Sequence, residues 1–339
     1  MESALSLSVS DWKKVLEGWD ERTFYAQVLF SWLHGKRAVS FDEMTNVPKK
    51  LREKLALAYG IDQAAILTVQ KSADGTQKYL LGLSDGKAIE CVLMKYRFGY
   101  SLCISSQAGC RMGCRFCAST LKGLDRNLTR AEMLLQVYTV EQEAKVKVSH
   151  IVVMGCGEPF DNYEEVMGFL RLVHDEKGKG LSYRNLTVST CGLIDKIRDF
   201  ADQDLPVTLA ISLHAPNDEV RLKIMRIARA VSMDELLEAC RYYIEKTNRR
   251  ITFEYLLIDH VNDSPQQAAE LTDRLKDLLC HVNLIPVNAV PECGFLRPSE
   301  ERIRQFMKVL EDNHIPVSRR REMGREIDAA CGQLRFRKS

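Results

Sequence analysis

The sequence of 339 residues lacks a long apolar run, and its hydrophobic stretches stay short of the ~20 residues that a membrane-spanning helix requires. Its first residues show no basic segment followed by an apolar one, so we expect no secretory signal. The chain also has almost no excess of charge of one sign, because 48 Lys and Arg residues are balanced by 46 Asp and Glu residues. We therefore expect a cytoplasmic protein with no membrane partner. The net charge of +2 neither favours nor excludes a polyanionic partner.

Paired cysteine motifs are missing apart from one cluster, although the chain has 11 cysteines. A structural zinc site takes four ligands, usually from two CxxC-like pairs, and no second pair is present. A disulfide framework is also disfavoured, because a chain of this length can bury a large core without crosslinks. The cysteines are therefore interpreted as cytosolic thiols and metal ligands, with Cys91, Cys240, Cys280 and Cys293 as structural or incidental residues.

The one cysteine cluster is the run GCRMGCRFC, in which Cys110, Cys114 and Cys117 follow a CxxxCxxC spacing. Three thiolates on one loop can bind three irons of a 4Fe-4S cluster and leave the fourth iron without a protein ligand. The spacing therefore predicts a cluster with one open iron. It resembles the signature of the radical S-adenosylmethionine (SAM) superfamily, and this resemblance implies that SAM chelates the open iron.

Helical periodicity dominates the first part of the chain. The apolar spacing of FYAQVLFSWLHG, and the positions of Pro48 and Gly60 at the ends of a second segment, predict a helical accessory domain over residues 1–75. Direct RNA contact and simple packing against the main body are both compatible with such a domain.

Residues 76–100 change to short β-rich pieces and predict a β-hairpin linker segment. Asp85 and Gly86 stand between two apolar runs, which is a strong hairpin signal. Glu90 lies on the second strand of this hairpin. Taken without further information, a carboxylate at that position would be interpreted as solvent-facing.

Strand-like and helix-like segments alternate over residues 101–320, which predicts the parallel βα units of an α/β protein. Six strands are expected, in SLCISS, HIVVMG, NLTVST, VTLAISLH, ITFEYLLI and VNLIPV. Capping boxes predict helix starts after Thr129, Ser232 and Ser264. Periodicity does not distinguish an open doubly wound sheet from a barrel. Polar and glycine-rich residues follow the strand ends, however, and this placement favours a barrel.

Seven motifs in a fixed order are similar to one family. They are LCISSQAGCRMGCRFCAST, RNLT (126–129), MGCGEP (154–159), VSTCG (188–192), ISLHAPND (211–218), LIPVN (284–288) and IDAACGQL (327–334). They resemble the RlmN family of radical-SAM methyltransferases, which methylate C2 of an adenosine in 23S ribosomal RNA and, in some members, in transfer RNA. The resemblance implies a partial parallel (βα)6 barrel of radical-SAM type, followed by a C-terminal segment, 321–339, with a methyl-accepting cysteine.

The resemblance also implies a reaction. An ordinary transfer of an electrophilic methyl group to the electrophilic C2 carbon is chemically unreasonable, so the implied route is radical and consumes two SAM molecules per turnover. Cys331 is at the position of the methyl-carrying cysteine, Cys103 at that of the resolving cysteine and Glu90 at that of the proton acceptor. An S-methylcysteine intermediate and a covalent protein–RNA adduct would follow one another.

Further expectations come from the same resemblance. The partners would be 23S ribosomal RNA, transfer RNA and an electron donor such as flavodoxin or ferredoxin, and the chain would act as a monomer. Cys156 and Cys191 depart from the family pattern, in which methionine and serine are commoner, and we assign them no function. The residues implied to bind SAM are Gly157, Glu158, Ser189, Ser212, Leu213, His214 and Asn288.

Two alternatives are retained. A relative of the Cfr type would use the same apparatus to methylate adenine C8 and confer resistance to ribosomal antibiotics, although GEP, SLHAPND and FDEMTN favour C2. A non-catalytic RNA-binding or assembly factor would keep the cluster only as a structural element. The presence of both Cys103 and Cys331 argues against this second alternative.

Overall fold

The structure, a computed structural model, describes residues 1–288 and 290–329. Within these ranges, no helix is both long and apolar enough to cross a bilayer. The helices are α1 (Val9–Gly18), α2 (Tyr25–Phe30), α3 (Lys49–Ala58), α4 (Arg130–Ala144), α5 (Tyr163–His174), α6 (Ile194–Asp202), α7 (Asp218–Ile224), α8 (Met233–Thr247), α9 (Pro265–Leu275) and α10 (Glu300–Asp312).

The strands are short, and most of them follow the predicted apolar segments. They are β1 (Glu2–Ser3), β2 (Tyr59–Gly60), β3 (Ala65–Lys71), β4 (Gln77–Gly82), β5 (Ala88–Tyr96), β6 (Gly99–Ile104), β7 (Gln107–Gly109), β8 (Leu124–Asn127), β9 (Val148–Val153), β10 (Leu186–Thr190), β11 (Thr208–Ser212), β12 (Ile251–Leu257), β13 (Cys280–Pro286) and β14 (Val317–Arg319).

Ten of these strands form one sheet in the order β14-β13-β12-β11-β10-β9-β6-β5-β4-β3. Strands β6 and β9 to β14 pair in parallel, and β5, β4 and β3 extend the sheet in antiparallel fashion. Each of the six predicted strands lies in the parallel part and is followed by a helix. The prediction of parallel βα units is confirmed, and β14 adds a short parallel strand that was not predicted.

The sheet curves strongly. Val92 on β5 and Ile285 on β13 line the same cavity, although five strands separate β5 from β13 in the sheet order. A flat sheet would hold these strands far apart, because neighbouring strands are ~4.8 Å from one another. The parallel part therefore forms a partial barrel, as the polar strand ends predicted.

Capping boxes begin the helices where the sequence predicted them. The side chains of Thr129, Ser232 and Ser264 each accept a hydrogen bond from the backbone N–H three residues on, and the side chain of that residue accepts one from the backbone N–H of the cap residue. These bonds satisfy N–H groups that an isolated helix end leaves without partners. Two of these boxes start a helix after a strand-end loop, and the third starts α8 after the short α7. Each box therefore fixes where the preceding connection ends.

The predicted helical range 1–75 contains three strands, the two-residue β1 and β2 and the longer β3. β3 pairs in antiparallel fashion with β4 and forms one edge of the sheet. Its sequence contains the β-branched residues Ile66, Thr68 and Val69, which favour extended backbone. Most of its side chains are exposed, so its stability depends on backbone pairing with β4, which helical periodicity cannot detect.

The N-terminal segment packs directly against α4. Trp12 and Leu29 belong to the same cluster of buried apolar side chains as Leu134. A buried hydrogen bond joins His34 Nδ1 to the Tyr138 hydroxyl at 3.0 Å. The apolar core therefore runs without interruption from the first helices into the barrel.

Candidate active site

The loop that carries Cys110, Cys114 and Cys117 is closed at its base by the antiparallel pair β7 and β8. The N–H of Cys110 donates to the Gly123 carbonyl at 2.9 Å across this base. Gly109 has a φ of +78°, and a Cβ there would lie 2.1 Å from the Gly123 oxygen. Only glycine fits where the two strands approach so closely. Backbone pairing therefore fixes both ends of the cysteine loop.

The other side of the loop packs on the C-terminal end of α7. The N–H of Arg115 donates to the carbonyl of Ile224, the last residue of that helix, at 2.9 Å. The Thr120 hydroxyl lies 3.0 Å from the Cys114 carbonyl and 2.9 Å from the Cys117 carbonyl. The three cysteines are thus presented by a loop whose backbone is held at several points.

A cavity of about 150 Å³ lies at the carboxyl ends of the parallel strands. All three cysteines line it, together with six of the seven residues assigned to SAM binding: Gly157, Glu158, Ser189, Ser212, His214 and Asn288. The seventh, Leu213, is 1% exposed, and its side chain packs in the apolar core. β11 ends at Ser212 and His214 has a φ of +59°, so the backbone turns directly after Leu213.

These cysteines suit a cluster better than a single ion. Among residues 1–288 and 290–329, no three His, Cys, Asp or Glu side chains converge closely enough to share one metal ion. A 4Fe-4S cluster needs a different arrangement, because each thiolate binds a different iron. Cys110, Cys114 and Cys117 surround a common space in this way, so the donor set fits the cluster that the CxxxCxxC spacing predicts.

Burial governs the protonation of the loop thiols. It raises the pKa of Cys110 to about 12 and the pKa of Cys114 well above the ordinary thiol value. Both thiols are therefore protonated at neutral pH in the metal-free protein. Iron binds thiolate, so cluster binding must displace these protons and becomes more favourable as the pH rises.

Glu158 joins two strand-end loops on the cavity wall. Its Oε1 accepts a hydrogen bond from the Phe160 N–H at 3.0 Å, and its Oε2 accepts one from the Cys191 N–H at 2.8 Å. Burial raises the pKa of Glu158, and these two N–H groups oppose that effect. The carboxylate therefore fixes the loops after β9 and β10 in addition to lining the cavity.

His214 is neutral, and its tautomer is fixed by the backbone. Its Nδ1 lies 3.0 Å from the Leu256 nitrogen, and a backbone N–H can only donate, so Nδ1 is the acceptor. Burial lowers the pKa of His214 to about 3, and the charge of Arg221 adds to this effect. The remaining proton is therefore on Nε2, which makes His214 a hydrogen-bond donor at physiological pH.

Two charged residues of the cavity wall were not predicted from the sequence. Glu254 on β12 is buried, its Oε2 accepts from Asn283 Nδ2 at 2.9 Å, and Arg320 Nη1 lies 3.7 Å from the same oxygen. Burial raises the pKa of Glu254, and Arg320 opposes the rise. A carboxylate inside the otherwise apolar strand ITFEYLLI is the signal that could have identified Glu254. Arg320 carries no comparable signal.

Cys103 lines a second, smaller cavity of about 40 Å³ beside the first. Val92 and Met94 of β5 form part of its wall, as does Ala329, the last described residue. Four residues line both cavities: Met154, Ile285, Asn288 and Arg320. Cys103 therefore lies next to the space that the loop cysteines surround.

Glu90 is buried, contrary to the interpretation of its position from the hairpin alone. It occupies the same face of β5 as Val92 and Met94, because residues two apart on a strand share a face. Glu90 itself is not among the residues that line either cavity. Lys78 Nζ lies 3.3 Å from Glu90 Oε1.

The turn between β3 and β4 holds the segment that leads to Cys331, which itself lies outside the described residues. Asp74 Oδ2 accepts a hydrogen bond from the Gly324 N–H at 3.0 Å. Glu326 Oε1 accepts one from the Ala73 N–H at 2.9 Å. Lys78 Nζ, the partner of Glu90, also donates to the Asp328 carbonyl at 3.3 Å. We call this set of contacts the C-terminal clasp.

Comparison with known proteins defines the class. The Radical SAM superfamily model matches residues 104–272, and the model of the ribosomal RNA large subunit methyltransferase N-terminal domain matches residues 4–61. The crystal structure of a radical SAM methyltransferase from Sphaerobacter thermophilus superposes with a TM-score of 0.93 at 42% identity, covering 99% of each chain. The fold and the cysteine-lined cavity are those of a radical SAM enzyme, a class that implies SAM and a 4Fe-4S cluster as cofactors.

Sequence relatives define the family. One from Lachnoclostridium phytofermentans is 50% identical over 331 residues, covering 97% of this chain and 93% of the relative. Another, from Geobacillus thermodenitrificans, is 49% identical and covers 99% of this chain and 93% of its own length. Both carry the name probable dual-specificity RNA methyltransferase RlmN. The chain belongs to the RlmN family and is a SAM-dependent RNA methyltransferase.

Replacing Cys114 by Ser should prevent cluster assembly, because a hydroxyl is a poor iron ligand. After anaerobic reconstitution, we expect the variant to lose the brown absorbance and most of the iron that the unaltered protein retains. Cys280→Ser is the matched control, since the Cys280 thiol is buried on β13 and already donates to the Leu275 carbonyl. Full iron content in C114S would contradict the assignment of the loop.

Proposed function

We propose that this enzyme methylates C2 of an adenosine in 23S ribosomal RNA, with transfer RNA as a second substrate. The observation that carries the proposal is the position of Cys103 beside a cavity lined by the loop cysteines and by six residues assigned to SAM binding. The dual-specificity name of the relatives supports two RNA substrates. Since ribosomal RNA is the substrate, we expect the enzyme to act in the cytoplasm.

Cofactor chemistry sets what the side chains must do. When bound, SAM and the reduced cluster supply a methyl group and, from a second SAM molecule, a carbon radical that removes a hydrogen atom. The thiolate of Cys331 accepts the methyl group, and the methyl carbon later becomes bonded to C2 of the adenosine. This bond joins protein and RNA covalently. The thiolate of Cys103 would then attack the sulfur of Cys331, so that an S–S bond forms as the bond between that sulfur and the methylene carbon breaks. The electron pair of the broken bond takes up a proton, which leaves a methyl group on C2 and releases the RNA.

The proposed role of Cys331 is supported by the position of the segment before it. Ala329 lines the small cavity together with Cys103. Two peptide units separate Ala329 from Cys331, and each unit spans ~3.8 Å between α-carbons. A connection this short is compatible with the proposed role of Cys331.

Glu90 is proposed as the group that removes the C2 proton. Its position on the cavity-facing side of β5 and the ammonium group of Lys78 beside it support this role. Removal of the C2 proton requires a carboxylate that can accept it. In the structure Glu90 lies outside both cavity walls, so RNA binding would have to bring the adenosine to it.

The domain division stays a prediction. We propose that the N-terminal segment, 1–75, helps to position RNA, which the match of residues 4–61 to the N-terminal methyltransferase domain supports. Residues 76–100 would connect it to the barrel, 101–320, and residues 321–339 would carry Cys331. We also propose that a flavodoxin or ferredoxin delivers the electron to a monomeric enzyme.

Nucleoside analysis tests the position of methylation. Ribosomal and transfer RNA from cells with and without this chain would be digested and compared by mass spectrometry. We expect 2-methyladenosine in both RNA classes only when the chain is present. If 8-methyladenosine is the main product, the Cfr-type alternative is correct and the C2 proposal fails.

Two cysteine variants should separate the two proposed cysteine roles. In Cys103→Ala, addition to the RNA proceeds but release fails, so we expect a covalent protein–RNA adduct on a denaturing gel. In Cys331→Ala, neither adduct nor methylated RNA should form, although the cluster absorbance should remain. RNA methylation by C331A, or adduct-free C103A after turnover, would remove that cysteine from the mechanism.

Loss of the C-terminal clasp should slow methylation of Cys331. Asp74→Ala removes a charge-assisted hydrogen bond to Gly324, so we expect the S-methylated fraction of Cys331 to form roughly tenfold more slowly, by peptide mass spectrometry. Burial acts to raise the pKa of Asp74, but hydrogen bonds from Gly324 and Thr76 lower it to about 2. The carboxylate therefore remains ionised, and the effect should not change between pH 6 and 8, a range well above this pKa.

Asp85→Ala provides the control for this variant. Asp85 occupies the corresponding turn of the next hairpin, where it accepts a hydrogen bond from the Lys87 N–H and pairs with Arg126 instead of the C-terminal segment. The D85A variant should methylate Cys331 at the same rate as the unaltered protein. Equal rates for D74A and the unaltered protein, at equal cluster content, would show that the clasp does not guide Cys331.

A further inference from the structure

Arg221 on α7 is a fully buried guanidinium close to the cysteine loop, with 0% exposure. Its Nη2 donates to the Cys191 carbonyl at 2.7 Å, and its Nη1 donates to the Val231 carbonyl at 3.2 Å. Its buried Nε has no hydrogen-bond partner in the part of the chain that the structure describes. Two backbone carbonyls thus hold the group in one orientation.

No carboxylate forms a direct ion pair with Arg221 in the described residues, and Asp218, at the start of α7, acts on its charge from a longer distance. Across residues 1–288 and 290–329, no Asp or Glu oxygen lies within ion-pairing distance of this guanidinium, whereas buried Glu141 pairs with both Arg37 and Lys179. Burial lowers the pKa of Arg221, which expresses the cost of keeping the charge away from water. Guanidinium groups nevertheless stay protonated in proteins, so a permanent positive charge remains in the interior.

Besides Asp218, the groups whose charge acts on Arg221 are thiols, among them Cys191 and Cys114 of the cavity wall. Cys114 and Cys191 belong to one apolar cluster with Ile224, at the end of the same helix. Burial raises the pKa of the Cys114 thiol, and the charge of Arg221 opposes this rise. Iron binding converts this thiol and its two neighbours on the loop to thiolates. The charge that lacks a direct ion pair in the metal-free protein then faces an anionic group.

We propose that Arg221 is the fixed countercharge of the 4Fe-4S cluster and raises the reduction potential of that cluster. Reduction adds one electron to the cluster and makes it more negative. A fixed positive charge in a medium of low dielectric constant favours the more negative state. The inference depends on the cluster that superfamily membership implies, and it does not depend on which adenine carbon is methylated.

A purely structural role is the competing explanation, since Arg221 also connects the Cys191 loop to the chain before α8. Two substitutions separate hydrogen bonding from charge. Arg221→Gln keeps N–H donors and loses the charge, whereas Arg221→Lys keeps the charge on a different donor geometry. Arg229→Gln is the matched control, because it removes the same charge from an exposed position a few residues further along the chain.

The experiment is a potentiometric titration of the full-length, anaerobically reconstituted protein without RNA, with dithionite as reductant and electron paramagnetic resonance of the reduced cluster as readout. Iron content is measured for each sample. We expect R221Q to be reduced at a more negative potential than the unaltered protein. R221K and R229Q should remain close to the unaltered protein.

The other possible results of this titration also support or overturn the proposal. If R221Q holds no cluster while R221K holds one, the charge is needed for the cluster itself, as a countercharge requires. If R221Q carries a full cluster with an unchanged potential, the proposal is overturned. It is also overturned if R221Q and R221K lose the cluster equally or shift its potential equally, because the geometry of Arg221 and not its charge would then be responsible.

Discussion

Curvature of the ten-stranded sheet is the constraint on which both cavities depend. The parallel strands bring their carboxyl ends to one edge, and curvature brings that edge round until side chains of β5 and β13 face a common interior. The cysteine loop leaves this edge after β7 and returns through β8. In a flat sheet of the same order, Cys103 and Ile285 would lie on distant strands, and no cavity would connect the cysteine with the cofactor residues.

The backbone, more than other side chains, fixes the buried polar groups around the cavity. Glu158 accepts from two N–H groups, His214 accepts from the Leu256 N–H, and Arg221 donates to two carbonyls. Groups held in this way need little reorganisation when a ligand arrives. A zwitterionic ligand such as SAM would therefore meet donors and acceptors whose directions are set by the fold.

Local patterns predicted much of this arrangement. A capping box such as that of Thr129 depends only on residues within one helical turn, and the strand ends follow from apolar runs and the turns after them. Glu254 gave a local signal, a carboxylate in an apolar strand, whereas Arg320 gave none. The position of both at the cavity depends on the curvature of the sheet, which brings distant parts of the chain together. The burial of Glu90 likewise depends on tertiary packing that the hairpin signal does not contain.

The uninterrupted apolar contact between the N-terminal helices and α4 limits how the molecule can be dissected. Trp12 and Leu29 share one core with Leu134, so removal of residues 4–61 would expose a large apolar surface on the barrel. A truncated barrel of this kind is liable to self-association, and weak RNA binding by it would be uninformative. The contribution of the N-terminal segment to RNA recognition is better measured with charge-reversal substitutions on its outer surface in the intact chain.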